Sequence, residues 1–573
     1  MSSHVLRGGI IIDGTGDRAF LGDVILGGGR IAGVHRRADL GTGESVLDAA
    51  KRMEEMPCTD DSRGSDLPGD VELIIDATGL VVTPGFIDIH THSDLSILAA
   101  PDASAKILQG VTTDVIGNCS IGPAPLNPAG HEYFTGWRRY ESSWLERAGV
   151  QWPVWPRWSQ YSEVLAGTKK SINVAGLVGH GALRASAVGG GEAVANDLQM
   201  EEMKMLLEEA MEAGAFGMST GLTYAPSCWA ETGEIVELAR VVSRYGGLYA
   251  SHIRGEDERL LGAVDEAIRI GREAGASVQI AHHKAVGRPN WGRVHESLHL
   301  IRDALRSGVD VAVDMYPYCF SGTFPGALWS VLSSGVTDVV RRSGADGFSR
   351  REAVSEVRAW LRRKGGFAAK TEETGAESPQ LAWDEIYIVE HPNADCVGWT
   401  AAQAAEEAGM RCADWFVANL FDEQIRVKRI MVSEADLRTV LAAPECSIGS
   451  DTYAMNDSEV FAGTWLHPRN FGAFARVLGK YVREEGVLDW EEAVSKMSGQ
   501  PALRLGISDR GLVEEGRWAD LAVWSPVRIE ERASIDSPFT YAAGVQWVFV
   551  NGSPVVADGA VTDRRPGALI CRR

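Results

Sequence analysis

Short apolar runs alternate with amphipathic stretches through the middle of the chain, whereas its two ends alternate apolar and polar residues almost one by one. Residues 1–80 read HVLRGGIIIDGTG, LGDVILGGGRIAGV and VELIIDATGLVV, glycine-punctuated strand and hairpin signals. The same texture returns in ADLAVWSP and VQWVFVNGSPVVADGAVT near the C-terminus, so the two ends are expected to share a small β-sandwich domain, residues 1–80 and 510–573. From residue 81 the pattern predicts strand–helix units: VVTPGFIDIH (81–90), TTDVIGN (112–118), INVAGLVGH (172–180), AFGMST (215–220), GLYASH (247–252), SVQIAH (277–282), DVAVDMYP (310–317) and CSIGSD (446–451). Between them, residues 257–275 place Leu260, Ala263, Val264, Ala267 and Ile268 on one helical stripe. Eight such units predict an α/β fold with a (β/α)8 TIM-like barrel over 81–509. Two stretches interrupt the scheme: a polar, Pro- and Gly-containing one at 49–70, expected as a mobile insertion, and a long one at about 330–445, expected as a helical insertion that could lid the barrel mouth.

Composition narrows the function classes. The 573 residues carry a formal net charge of −22, which argues against nucleic acid and anionic membrane as partners, because both need a basic footprint. No run approaches the roughly 18 apolar residues of a bilayer span, and MSSHVLRGGIIIDGTG lacks the layout of a signal peptide. Eight scattered cysteines without CxxC pairs suit a reducing cytoplasm. Gly27 to Ala32 (GGGRIA) matches a dinucleotide fingerprint by letter. It is followed by strand-like alternation rather than a helix, and therefore reads as a hairpin turn.

The ends of the apolar runs carry the chemistry. His90 and His92 close the first run, two apart and so on one face of a strand, with Asp88 one step back as a candidate to orient a histidine. Cys119 follows the second run in the turn-rich GNCSIGPAP. His252 and His282 end the fifth and sixth, and strand alternation sends His283 the other way. Asp after Gly-Ser commonly closes a turn, but Asp451, at the end of the eighth run, can both ligate a metal and accept a proton from water. Imidazole, thiolate and carboxylate are the groups that hold zinc, and catalytic groups of barrels gather at the strand C-termini. The fourth run ends in Ser219-Thr220-Gly221, with no lysine to bridge two metals, which leaves Cys119 as the best bridging candidate. His180, ending the third run, is a candidate substrate contact.

With these residues in view, the sequence resembles the amidohydrolase superfamily and, within it, the D-aminoacylase (N-acyl-D-amino-acid deacylase) group. The resemblance runs through TPGFIDIHTHSD, GNCSIGPAPL, NVAGLVGHGALR, GMSTGLTYAP, YASHIRGE, QIAHHKAVG, DMYPY, IGSD, HPRNFGAFARVLG and PALRLGISDRGLVEEGRWADLAVW. It implies a zinc-dependent hydrolase of N-acyl-D-amino acids, with a tight ion on Cys119, His252 and His282. A second, weaker ion would sit on His90, His92 and Asp451 with Cys119 shared, and Asp451 would be the catalytic base. It also implies that Lys284, Arg469, Tyr316 and Tyr318 hold the substrate carboxylate. Cyclic-amide hydrolases of the hydantoin or dihydropyrimidine type share the scaffold but usually have the lysine missing here, and a non-catalytic scaffold would have lost ligands. The sequence departs from the group at Thr452 after GSD, at Cys319-Phe320 after YPY, and in a tryptophan-rich stretch (136–158) hydrophobic enough to line an acyl pocket.

Overall fold

The computed structural model describes residues 3–55, 71–323, 383–419, 425–464 and 466–572. Its first strands, β1 (Ser3–Ile11), β2 (Phe20–Gly27), β3 (Arg30–Asp39), β4 (Val71–Asp76) and β5 (Val81–Pro84), belong to one terminal sheet. The β2–β3 hairpin turns at Gly28 and Gly29, both at positive φ (63° and 83°), a conformation that glycine adopts without penalty. Residues 49–55 of the expected insertion instead continue a helix, Val46–Glu55, that buries Val46, Ala49, Ala50 and Met53; residues 56–70 lie outside the described residues.

The eight central runs all form strands: β6 (Phe86–Asp88), β7 (Val111–Ile116), β8 and β9 (Asn173–Gly176 and Val178–Gly179), β10 (Gly217–Gly221), β11 (Leu248–His252), β12 (Ser277–Ile280) and β13 (Val311–Met315), with the eighth after an insertion. That insertion contributes β14 (Phe320–Thr323), β15 (Ile386–Glu390) and β16 (Arg426–Ile430) as a three-stranded antiparallel sheet, with the helices Ala401–Glu407, Cys412–Ala418 and Glu434–Leu441. The expectation of a purely helical insertion is therefore corrected. Alternating IYIVE and RVKRI have strand rather than helix periodicity, and Ile386, Ile388 and Val427 are buried on one side. Residues 324–382 of the insertion lie outside the described residues.

The eighth run forms β17 (Cys446–Ile448), and the chain returns to the terminal sheet with β18 (Leu521–Trp524), β19 (Val545–Val550), β20 (Ser553–Ala557) and β21 (Ala560–Val561). Antiparallel pairing of β18 with β5 joins the two ends of the chain in a nine-stranded sheet. A short β22 (Leu569–Ile570) pairs parallel with β8.

The central strands pair in parallel in two sheets, β6–β7–β8 with β22 and β9–β10–β11–β12–β13–β17. Hydrogen bonds link the sheets at both ends. Phe216 N–H donates to the Gly176 carbonyl (2.8 Å), while Asp451 N–H donates to the His90 carbonyl (2.8 Å) and His92 N–H to that of Thr452 (2.7 Å). The architecture is mixed α/β. Leu260–Ala274 forms the predicted helix and buries the predicted stripe. Among the described residues, no helix is long and apolar enough to cross a membrane.

Candidate metal centre

The C-terminal ends of five strands bring polar side chains to one place: His252 is the last residue of β11, while His90, His92, Cys119, His282 and Asp451 follow the ends of β6, β7, β12 and β17. Cys119 (φ 53°), His282 (φ 35°) and Asp451 (φ 55°) all lie in the left-handed region, so the backbone bends sharply where each is presented. The Cys119 Sγ lies 3.3 Å from His90 Nε2, 3.6 Å from His282 Nε2 and 3.9 Å from His252 Nδ1. A tetrahedral zinc holding one thiolate and one imidazole keeps sulfur and nitrogen about 3.5 Å apart, so the donor set fits that ion. Two groups emerge around the shared sulfur, His90–His92–Cys119 and Cys119–His252–His282. Asp451 joins the first, its Oδ1 2.9 Å from His92 Nε2 and 3.7 Å from His90 Nε2.

The electrostatics favour a cation here. Burial pushes the Cys119 thiol up, but the His90 charge and hydrogen bonds from three imidazoles outweigh it and hold the thiol well below its usual range. Burial likewise disfavours charge on His90, yet Asp314 and the Cys119 sulfur raise it well above its ordinary value. For Asp451, burial is overcome by the Arg469 guanidinium, whose Nη1 lies 2.8 Å from Oδ2, and by the two histidines, so its carboxyl titrates well below the carboxylate range. The His92 and Asp451 side chains are each 14% exposed while His90 is sealed, so solvent reaches the centre from the Asp451 side.

Three positions that sequence reasoning did not single out orient the imidazoles. Asp314 accepts from His90 Nδ1 (2.9 Å) and from the backbone N–H of His282 (2.8 Å), tying two candidate ligands to one carboxylate. Glu256 sits 2.9 Å from His282 Nδ1 and 2.6 Å from Lys284 Nζ, and Thr223 Oγ1 is 2.9 Å from His252 Nε2. The rings of His90, His252 and His282 thus have their second nitrogen engaged, the arrangement that fixes tautomer and orientation in metal sites, whereas the buried His92 Nδ1 meets no such partner. A signal was present for Asp314, which precedes the tyrosines of DMYPY, and for Glu256, four residues past His252 in SHIRGE.

Other expectations are redistributed. Asp88 orients no imidazole: it receives Lys106 Nζ (2.7 Å) and the Ser450 N–H (2.8 Å), because its side chain meets the buried end of the eighth run. His283 goes to Ser297 Oγ (2.9 Å) on the outer face of its strand, leaving His282 at the centre. His180 is fully buried, with Nδ1 on Ser227 Oγ (2.8 Å) and Nε2 on Glu234 Oε1 (2.9 Å). Both ring nitrogens are taken by protein groups, which corrects the expected substrate contact. Tyr318 is similarly committed, donating its hydroxyl to Glu531 beneath the Arg476 guanidinium. Tyr316 keeps the expected company, with Arg469 Cζ 4.7 Å and Lys284 Nζ 5.7 Å from its ring centre. In the tryptophan-rich stretch, Trp155 and Trp158 enter the core. Trp144 packs edge-on to Tyr453, whose ring lies 6.1 Å from that of His92.

A cysteine-centred, histidine-rich cluster at strand ends of a parallel α/β scaffold defines a metal-dependent hydrolase class, and the comparison with known families agrees. Residues 73–556 match the amidohydrolase family, to which the chain belongs. It is 33% identical to a D-aminoacylase of Alcaligenes xylosoxydans xylosoxydans over 568 residues, covering 99% of this chain and 97% of that one. Among solved structures it is similar to N-acyl-D-glutamate deacylase of Bordetella bronchiseptica, complexed with zinc and a phosphonate mimic of the tetrahedral intermediate (30% identity, TM-score 0.72, covering 100% and 99% of the two chains). It is also similar to a D-aminoacylase studied for its binuclear metal centre (31% identity, TM-score 0.73, covering 99% of each chain).

Proposed function

We propose that the protein is a zinc-dependent amidohydrolase that cleaves the amide of N-acyl-D-amino acids to a carboxylate and a free amino acid. The observation that carries the reading is the Cys119 sulfur set among three imidazoles, with Asp451, Arg469, Lys284 and Tyr316 on its flank. Cys119, His252 and His282 would hold a tight ion, and His90, His92 and Asp451, with Cys119 shared, would hold a weaker one. The eight runs close into a (β/α)8 barrel over 81–509, and the terminal strands form the second, smaller domain. Hydrogen bonds at both ends of the parallel sheets and the full-length likeness to relatives support that organisation. A reducing, cytoplasmic setting is part of the proposal, in keeping with the free state of the described cysteines.

Zinc held there would supply Lewis acidity and a nucleophile from water near neutral pH. Asp451, ionised and reachable by solvent, takes the proton of the attacking water and returns it to the leaving nitrogen. Arg469 and Lys284 present two cations beside Tyr316, which suits the single carboxylate of an acyl amino acid. Glu256 keeps Lys284 charged: burial lowers the ammonium, and the carboxylate more than restores it. Chromatographic assay of zinc-loaded protein against paired N-acyl-D- and N-acyl-L-amino acids and hydantoins tests the reading. Release of free D-amino acid is expected; turnover of hydantoins alone, or of no amide, would contradict it.

A further inference from the structure

The turn that carries Cys119 is unusual in its backbone. Two successive residues with side chains, Cys119 and Ser120, occupy the left-handed region (φ 53° and 72°), a conformation costly for residues other than glycine. The turn lies against bare backbone, since a Cβ on Gly221 would come within 2.4 Å of the Cys119 carbonyl oxygen and one on Gly179 within 2.5 Å of that of Ser120. Such a turn persists only if its surroundings hold it. Ser219 Oγ accepts the Ser120 N–H (3.0 Å) and donates to the Gly117 carbonyl, which straps the two sides of the bend.

From Ser120 a chain of hydrogen bonds leads away through the interior. Its Oγ accepts the Gly181 N–H (2.6 Å) and bonds Ser227 Oγ; Ser227 Oγ bonds His180 Nδ1 (2.8 Å); His180 Nε2 bonds Glu234 Oε1 (2.9 Å). Arg184 Nε donates to the same Glu234 oxygen (3.0 Å). All these side chains are buried. The anionic end sets the direction of every proton. Glu234 accepts, so His180 carries its proton on Nε2 and accepts at Nδ1 from Ser227. Ser227 in turn accepts from Ser120, whose lone pair faces the Gly181 N–H. This direction holds while Glu234 is ionised and the buried His180 ring is neutral; the hydrogen bonds from His180 and Arg184 favour the carboxylate, and burial favours the neutral ring.

We propose that Ser120, Ser227, His180 and Glu234 are positioning residues that hold the Cys119 turn in its left-handed form and so aim the thiolate at the metal. The inference rests on the proposed metal centre and goes beyond it, for these residues touch neither metal nor substrate. A partner bonded directly to a metal ligand is typically worth 10- to 100-fold in metal affinity; Ser227 and His180 act further out, through Ser120, so a smaller loss is expected from each.

The test uses the full-length protein as Ser227→Ala, which deletes one oxygen, and as His180→Gln, which reaches Glu234 but abandons Ser227. Zinc affinity is measured by competition with a chromogenic chelator, and thiolate coordination by the sulfur-to-cobalt charge-transfer band of cobalt-substituted protein. Both variants are expected to bind zinc several-fold more weakly, with a shifted or weakened band. They should also show a lower kcat at nearly constant KM and a metal-free melting temperature close to that of the wild type. Unchanged affinity and band would overturn the proposal, as would a loss of affinity that merely follows a loss of metal-free stability. Should His180→Gln not fold, Ser227→Ala decides alone. A wild type that binds no zinc would contradict the metal centre itself; a wild type that binds zinc but hydrolyses no acyl amino acid would contradict the hydrolase reading and leave the metal measurements decisive.

Discussion

At the residue scale the centre divides into groups that meet the reacting atoms and groups that aim them. Asp451 is of the first kind, and Asp451→Asn removes its basicity while keeping its shape. A fall in kcat of at least about 100-fold is expected, with zinc on Cys119, His252 and His282 retained by elemental analysis. Glu256 is of the second kind. Glu256→Gln takes away the charge shared by His282 Nδ1 and Lys284 Nζ. A rise in KM together with roughly 10-fold weaker zinc binding is expected, read by steady-state kinetics and chelator competition. His283 offers a test by pH. Burial lowers its pKa to about 4, outweighing the opposing charge of Glu256. The folded value lies below the unfolded 6.5, so the unfolded chain gains the proton first; stability is full above pH 6.5 and is lost as the pH falls towards 4. Between pH 7.5 and 5, urea unfolding of zinc-free His283→Gln should lose about 2 kcal/mol less stability than the wild type.

At the element scale, the eight strands were legible because buried parallel strands are near-continuous apolar runs, and their final polar residues mark where they stop. What orients those residues was harder to read. Asp314 and Glu256 act across strands, and a one-dimensional pattern does not say which strand end faces which. Asp88 illustrates the difficulty. It shares a face with His90, yet its carboxylate is taken by the Ser450 hydroxyl and by Lys106, whose Nζ also reaches Ser450 Oγ and Thr452 Oγ1 (both 2.8 Å). One buried ammonium therefore clamps both neighbours of Asp451 to the first run, and Thr452, a departure from the family pattern, supplies one of its acceptors. Lys106→Met would leave a buried carboxylate and two hydroxyls without that donor. A loss of about 3–5 kcal/mol in unfolding free energy is expected from denaturant titration. A change below about 1 kcal/mol would show that the clamp carries little. The sheet of the insertion is harder to read because its strands, such as IYIVE and RVKRI, are only five residues long and far apart in sequence.

At the scale of the whole molecule, the terminal sheet and the central strands are joined where β5 runs into β6. Gly85 at that junction donates its N–H to the Asp520 carbonyl (2.8 Å), and a Cβ there would sit 2.2 Å from the Thr112 side chain. The chain passes directly from a sheet made by both its ends to the strand bearing His90, so the sequence ends help set the first ligands. Composition could suggest that the ends share a texture, but only the pairing of β5 with β18 shows them joined. Everything then converges on the sulfur of Cys119, reached from segments as far apart as His90 and Asp451. Anomalous diffraction at the zinc edge, on crystals of the zinc-loaded protein, tests that convergence most directly. The account predicts a peak within bonding distance of Cys119 Sγ, His252 Nδ1 and His282 Nε2, and its disappearance in Cys119→Ala. A peak elsewhere, or one that Cys119→Ala leaves at full strength, would contradict it.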